Sequence, residues 1–166
     1  MFKLISILVI FLFSLNVLPQ ESIEDETEDL IEACAKGNLK SAKLHLAKGA
    51  KVNARANAGR TPSRTAIMWA AVRGKREIVK LLIDHGAEIN AKDDWKGNMT
   101  RPDGTEGWTP LIFAADSDHE AVVKILIEKG ADVNIKTKSG LTALSFAYLW
   151  KNEEMILMLK QAGAKE

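Results

Sequence analysis

Four segments of this chain close in nearly the same way: Lys48-Gly49-Ala50-Lys51-Val52-Asn53, His85-Gly86-Ala87-Glu88-Ile89-Asn90, Lys129-Gly130-Ala131-Asp132-Val133-Asn134 and the shorter Ala162-Gly163-Ala164. A sequence that repeats at this scale folds as a stack of like units, each burying its apolar face only against its neighbours. The closing glycines lie 37 residues apart from Gly49 to Gly86, 44 from Gly86 to Gly130 and 33 from Gly130 to Gly163. The base period is therefore 33, with additions of 4 and 11 residues. Individual function is expected where the units depart from one another.

Within a unit the pattern is a threonine start, an apolar stretch with paired small residues, a polar break, a second apolar stretch and the Gly-Ala turn. That describes two short helices and a hairpin. In Gly107-Trp108-Thr109-Pro110-Leu111-Ile112-Phe113-Ala114-Ala115, Thr109 is placed to cap a helix that Pro110 opens, where a missing N–H costs nothing. Ala114 and Ala115 are small enough to let the next helix approach. Val122, Val123, Leu126 and Ile127 follow at helical spacing as its buried face. Gly130 ends that helix in the left-handed conformation glycine adopts without a Cβ penalty.

These residues resemble the ankyrin repeat. Its Thr-Pro-Leu-His-x-Ala core has counterparts in Thr65-Ala66-Ile67-Met68-Trp69-Ala70-Ala71, Thr109-Pro110-Leu111-Ile112-Phe113-Ala114-Ala115 and Thr142-Ala143-Leu144-Ser145-Phe146-Ala147-Tyr148, and its Gly-Ala-Asp-Val-Asn closer in the segments above. The resemblance implies an all-α solenoid of four helix-turn-helix units with short β-hairpin loops, two of them carrying insertions. The units are an N-terminal cap at 28–54, repeats at 55–91 and 92–136, the latter with an inserted finger, and a C-terminal cap at 137–166. The motif's histidine is replaced by Met68, Ile112 and Ser145, and the inter-helix glycine, kept as Gly37 and Gly74, becomes Asp118 and Lys151. These changes are expected to loosen local capping and hairpin hydrogen bonding without threatening the fold.

Residues 1–20 differ in kind. Lys3 precedes an apolar run that reaches Leu18 and stops at Pro19, before an acidic linker at 21–27. A positive start, an apolar centre and a polar exit make a secretory signal. The 15 residues from Leu4 to Leu18 fall short of the roughly 20 that span a bilayer. Small residues suited to cleavage are poorly placed, so an uncleaved apolar anchor through residues 4–18 is the alternative. The chain is expected to be exported, to a periplasmic or extracellular space. Lys plus Arg number 23 against 22 for Asp plus Glu, a balance with no basic field for a phosphate backbone, so nucleic acid is not an expected partner. Cys34 is the single cysteine and cannot form an internal disulfide.

Candidate sites follow from what recurs and what does not. Trp69, Phe113 and Phe146 share one repeat position and are expected in the core. Asn53, Asn90 and Asn134 recur too, and are expected to tie down backbone groups between units. By the resemblance, partners bind along the hairpin tips and the inner face of the first helices. Those map onto Arg64, Trp108 and Leu141 at the tips, and onto Val72 with Arg73, Asp116 with Ser117, and Leu149 with Trp150 on the helices. Both insertions fall in a hairpin before a first helix: a basic tip at 59–64, and a finger from Lys92 to Glu106 that carries Asp93, Asp94, Trp95, Arg101 and the turn Pro102-Asp103-Gly104. Insertions in repeat proteins gather on one face, often the binding face. The candidate protein-binding residues are Arg64, Arg73, Trp95, Arg101, Trp108 and Asp116, with Trp108 as the leading anchor.

Catalysis needs a convergent cluster, and the sequence offers none. His45, His85 and His119 occupy unrelated repeat positions, and Asp93, Asp94, Asp103 and Glu106 miss the spacing of a calcium loop. Cys34 sits at a small-residue position and is expected to be buried and inert. Asn98-Met99-Thr100 matches a glycosylation triplet. The expected function is a non-catalytic protein-binding module, monomeric, with no metal and no cofactor. The alternatives are a membrane-anchored scaffold and, by resemblance to exported bacterial ankyrin proteins, an accessory of oxidative-stress defence or cofactor handling.

Overall fold

The computed structural model describes residues 20–55, 64–94 and 106–165, with side chains from residue 24 onward. Among these residues eight helices follow in order: α1 (Gln20–Lys36), α2 (Leu39–Ala47), α3 (Ala66–Val72), α4 (Arg76–Asp84), α5 (Pro110–Asp116), α6 (Glu120–Glu128), α7 (Ala143–Leu149) and α8 (Glu153–Gln161). No helix among them is long and apolar enough to cross a membrane. The expected leader at 1–20 lies, but for Gln20, outside the described residues.

Helices α1, α3, α5 and α7 pack on one another as an inner layer, and α2, α4, α6 and α8 as an outer one. The inner layer is the more closely joined. Its seam is built from Ala70, Ala71, Ala114, Ala115 and Ala147, all fully buried, whose methyl groups let the backbones approach. Larger side chains such as Ile83 and Ile127 line the outer layer and hold it further apart. The stack therefore curves with its inner helices and hairpins on the concave side.

The helix starts follow the sequence closely. Thr109 Oγ1 accepts from Ile112 N at 3.3 Å, with Pro110 in the first turn. Ser145 does not loosen capping as its departure from the motif suggested. It forms a reciprocal box with Thr142, in which Ser145 N donates to Thr142 Oγ1 and Thr142 N to Ser145 Oγ. The inter-helix position is also better supported than expected. Asp118 adopts φ 54°, and its carboxylate accepts from Asn152 Nδ2 of the next unit at 2.8 Å. At the equivalent Gly74 (φ 65°) the next unit presents His119 instead, and a Cβ there would lie 2.8 Å from the His119 ring. The side chain that fills this position is thus matched to the one that follows it a repeat later.

The closing asparagines join units as the sequence implied. Asn53 donates to Gly86 O at 3.0 Å and accepts from Glu88 N at 2.8 Å. Asn90 accepts from Asp132 N, and Asn134 donates to Gly163 O and accepts from Lys165 N. Each asparagine therefore holds the turn that closes the following unit.

Two expectations change. Residues 21–27 are not a linker: they belong to α1, which runs unbroken into the first repeat. Glu26 binds His45 Nδ1 at 2.5 Å and Lys48 Nζ at 2.8 Å, and buried Thr27 accepts from Lys51 N, so this turn is pinned to α2 and its closing turn. The hairpins are also leaner than β-hairpins. Among the described residues the only bridge is the antiparallel pair Arg55 and Thr65, while one backbone–backbone bond each, from Asp93 N to Trp108 O and from Thr137 N to Leu141 O, joins the ends of the next two loops, returned in both by a bond to the Asp93 or Thr137 side chain.

Candidate protein-binding surface

Of the residues expected at exposed tips before the helix-starting threonines, the structure buries Arg64 and Trp108 and leaves Leu141 half-buried. Arg64 is 7% exposed and Trp108 4% exposed. The Arg64 guanidinium lies 5.0 Å from the Trp69 ring centroid and 4.3 Å from that of Phe113. Trp108 is tilted against Phe113 and Phe146 at centroid distances of 5.1 and 5.0 Å. Each of these residues is a wedge between the aromatic ring of its own unit and that of the next. The result is a continuous ladder, Trp69, Arg64, Phe113, Trp108, Phe146. Each rung contributes about 1 kcal/mol or more beyond the apolar area it hides. Phe113 and Phe146 are buried and Trp69 half-buried, in keeping with their expected core role. Neither Arg64 nor Trp108 has the exposure that a partner contact needs.

What the wedge does instead is fix the root of the inserted finger. Trp108 N donates to Asp93 Oδ1 at 2.6 Å, and Asp93 N donates to Trp108 O at 2.9 Å, in a pair buried at the finger's base. Arg55 of the preceding hairpin donates to Lys92 O at 2.7 Å and pairs with Asp94 at 3.4 Å. From the other side Lys138 N donates to Glu106 O at 2.8 Å, and the Lys138 ammonium pairs with the Glu106 carboxylate. Both strands of the root are thus held by neighbouring units. Trp95 and Arg101, the finger residues singled out from the sequence, lie outside the described residues.

Along the concave side the last turns of the inner helices present a graded row. Arg73 is exposed at the end of α3, and Asp116 and Ser117 are half-buried at the end of α5. At the end of α7, Leu149 is 67% and Trp150 53% exposed. Trp150 Nε1 donates to Asp116 O at 2.7 Å, which ties the exposed indole to the preceding unit. Leu149 and Trp150 are both groove positions by the sequence mapping, though not among the six candidate residues. Their signal was in the sequence: the repeat position of Trp150 holds Arg73 and Ser117 in the preceding units, so a tryptophan there is not required by the fold. Beside the finger root, a cleft of ≈ 510 Å³ is bordered by Lys92, Asp94, Glu106, Lys136 and Lys138, offering both charge signs.

The titratable groups have local partners. His85 Nδ1 lies 2.9 Å from Leu81 O and His119 Nε2 2.9 Å from Val72 O. His45 lies with Glu26 and Asp29, whose ligand atoms fall within 4.8 Å of one another. This trio is a pinned contact between α1 and α2: Lys48 already neutralises Glu26 and, together with His45, holds its carboxyl below the usual carboxylate range. Asp93, Asp94 and Glu106 are engaged by Trp108, Arg55 and Lys138, not gathered around a common centre. Burial pushes the Cys34 thiol up to about 12, which leaves it a thiol at physiological pH.

Comparison with known families agrees with this architecture. The family model described as Ankyrin repeats (3 copies) matches residues 8–93, 30–137 and 93–166.

Proposed function

Because this chain belongs to the ankyrin-repeat family, whose repeats are generic protein–protein interaction modules, we propose that it binds a protein partner between the inserted finger and the apolar end of its concave groove, without catalysis of its own. The observation that carries this reading is the finger root, held by Arg55 on one side and Lys138 on the other. A loop fixed at its base has less ordering entropy to lose on docking, and Trp95 and Arg101 belong to this loop by sequence. Leu149 and Trp150 supply the apolar contact and Arg73 a cation further along the row. Tryptophan and arginine are the residue types that most often dominate binding energy. Asp116 contributes through the backbone carbonyl that orients Trp150. We propose further that residues 1–20 direct export, which the N-terminal mass of the secreted chain would test.

The test of the binding surface is affinity capture with three forms of the chain: wild type, one in which 95–105 is replaced by an Asn-Gly turn, and Trp150→Ala. A partner retained by the wild type and lost from both variants supports the surface. Equal capture by all three refutes it.

A further inference from the structure

We propose that the two ends of the stack bind each other, so that the first helix of one copy seats on the last unit of the next. The internal units show which positions face a neighbour. Where the inner units carry Thr65 and Thr109, Ala66 and Pro110, and Trp69 and Phe113, the first unit carries Glu28, Asp29 and Glu32, all exposed. With Asp25 they form an acidic stripe down α1, in which Glu32 pairs with Lys36. At the opposite end, the positions of Met68 and Ile112, of Ala71 and Ala115, and of Ile83 and Ile127 are taken by Ser145, Tyr148 and Lys160. Lys160 Nζ lies 5.4 Å over the exposed Tyr148 ring. Next to it a cleft of ≈ 330 Å³ is bordered by Lys136, Leu144, Ser145, Tyr148 and Lys165. Lysines are the only charged side chains lining it.

Polar end units keep a solenoid soluble, but solubility alone does not require ends of opposite sign. Here the acidic and basic ends sit on a chain whose formal net charge is only +1. They also occupy the positions through which inner helices already pack. An incoming α1 would therefore lie along α7 as α3 lies along α1, its carboxylates facing Lys136, Lys160 and Lys165. Such an interface joins different surfaces of the two copies and does not close on itself, so it generates short open chains. This departs from the monomer expected from the sequence, and it uses neither the finger nor Leu149 and Trp150 of the groove, though Lys136 also borders the cleft beside the finger root.

Light scattering on the full chain in a nonionic detergent, which shields the apolar leader, tests the proposal. Raising the ionic strength from about 0.01 M to about 1 M shortens the Debye length from about 30 Å to about 3 Å. The expected result, after the bound detergent is subtracted, is a protein mass that climbs with protein concentration at low salt and returns to 18.3 kDa at high salt. Glu28→Lys with Asp29→Lys abolishes the climb, as does Lys136→Glu with Lys165→Glu, and an equimolar mixture of the two variants restores it. Circular dichroism checks that each variant is folded; if one is not, Glu28→Gln with Asp29→Asn, or Lys136→Gln with Lys165→Gln, takes its place and must also abolish the climb. A constant monomer mass at low salt overturns the proposal, as does association that ignores salt or survives either substitution pair. A wild type that stays monomeric while holding an acidic protein through Lys136 and Lys165 overturns the second copy as occupant.

Discussion

Truncating Trp108 to alanine separates a wedge in the core from an anchor at a tip. The side chain is 4% exposed and touches rings in two units, Phe113 in its own and Phe146 in the next. Removing a buried aromatic side chain costs about 3–5 kcal/mol, and the two tilted ring contacts place this site in the upper half of that range. A domain of this size loses about 2–4 °C of Tm per kcal/mol, so a fall of roughly 8–20 °C is expected. The shape of the transition should change as well. Trp108 bridges the third and fourth units, and its loss should let α7 and α8 melt ahead of the rest, lowering the slope of urea unfolding or splitting it into two steps. Far-ultraviolet circular dichroism during heating and urea titration measures both. Trp150→Ala is the control: at 53% exposure it should move stability by only about 0.5 kcal/mol, as surface substitutions do. A Trp108→Ala protein with a Tm within about 3 °C of wild type and an unchanged urea slope would refute the ladder and return Trp108 to the surface.

Two further substitutions probe the contacts between units. Gly74→Ala must hold a Cβ at φ 65° and push it against the His119 ring, whereas Gly86→Ala meets the same backbone penalty at φ 84° in open space. We expect urea midpoints to show a loss of about 1–2 kcal/mol for Gly86→Ala from backbone strain, and about 1–3 kcal/mol more for Gly74→Ala from overpacking. Equal losses would mean that the ring does not constrain the position. Glu26→Gln tests the pin between α1 and α2. The folded Glu26 carboxyl is held below its ordinary 4.5 by Lys48 and then His45, so its contribution is complete above that value and is lost as pH falls through the folded pKa. The variant should be less stable than wild type at neutral pH, with the difference vanishing in acid. A gap that persists at low pH would assign the effect to something other than the charge.

The features legible in the sequence were those written at the same place in every unit. The glycine closers gave the period, the paired alanines gave the inner seam, and the asparagines announced bonds between units because they recur 37 and 44 residues apart with a backbone partner waiting each time. What escaped was written differently in each unit. The wedge position holds Thr27, Arg64, Trp108 and Leu141 in turn, a series with no shared chemistry, and the ring that receives Trp108 lies in the next unit at Phe146. The acid-rich turn before residue 28 reads as a linker for a similar reason. The groups that pin Glu26, His45 and Lys48, are 19 and 22 residues further on, beyond the reach of a local pattern. The sequence places Trp150 in the groove, but it stands out only when the ends of the inner helices are lined up, where the other units show that no aromatic is needed.

The wedges fall in the two units whose hairpins are lengthened: Arg64 follows the shorter insertion and Trp108 the longer. In each case the described chain resumes after the insertion with a bulky side chain lodged between two rings. The scaffold therefore acts as a socket whose grip does not depend on the tool it holds. Segments of other length and chemistry spliced between Asp94 and Glu106 should leave the Asp93–Trp108 clasp and the ladder in place. Under the proposed function, exchange of the loop alone would change which partner is bound, while the stack stays as it is.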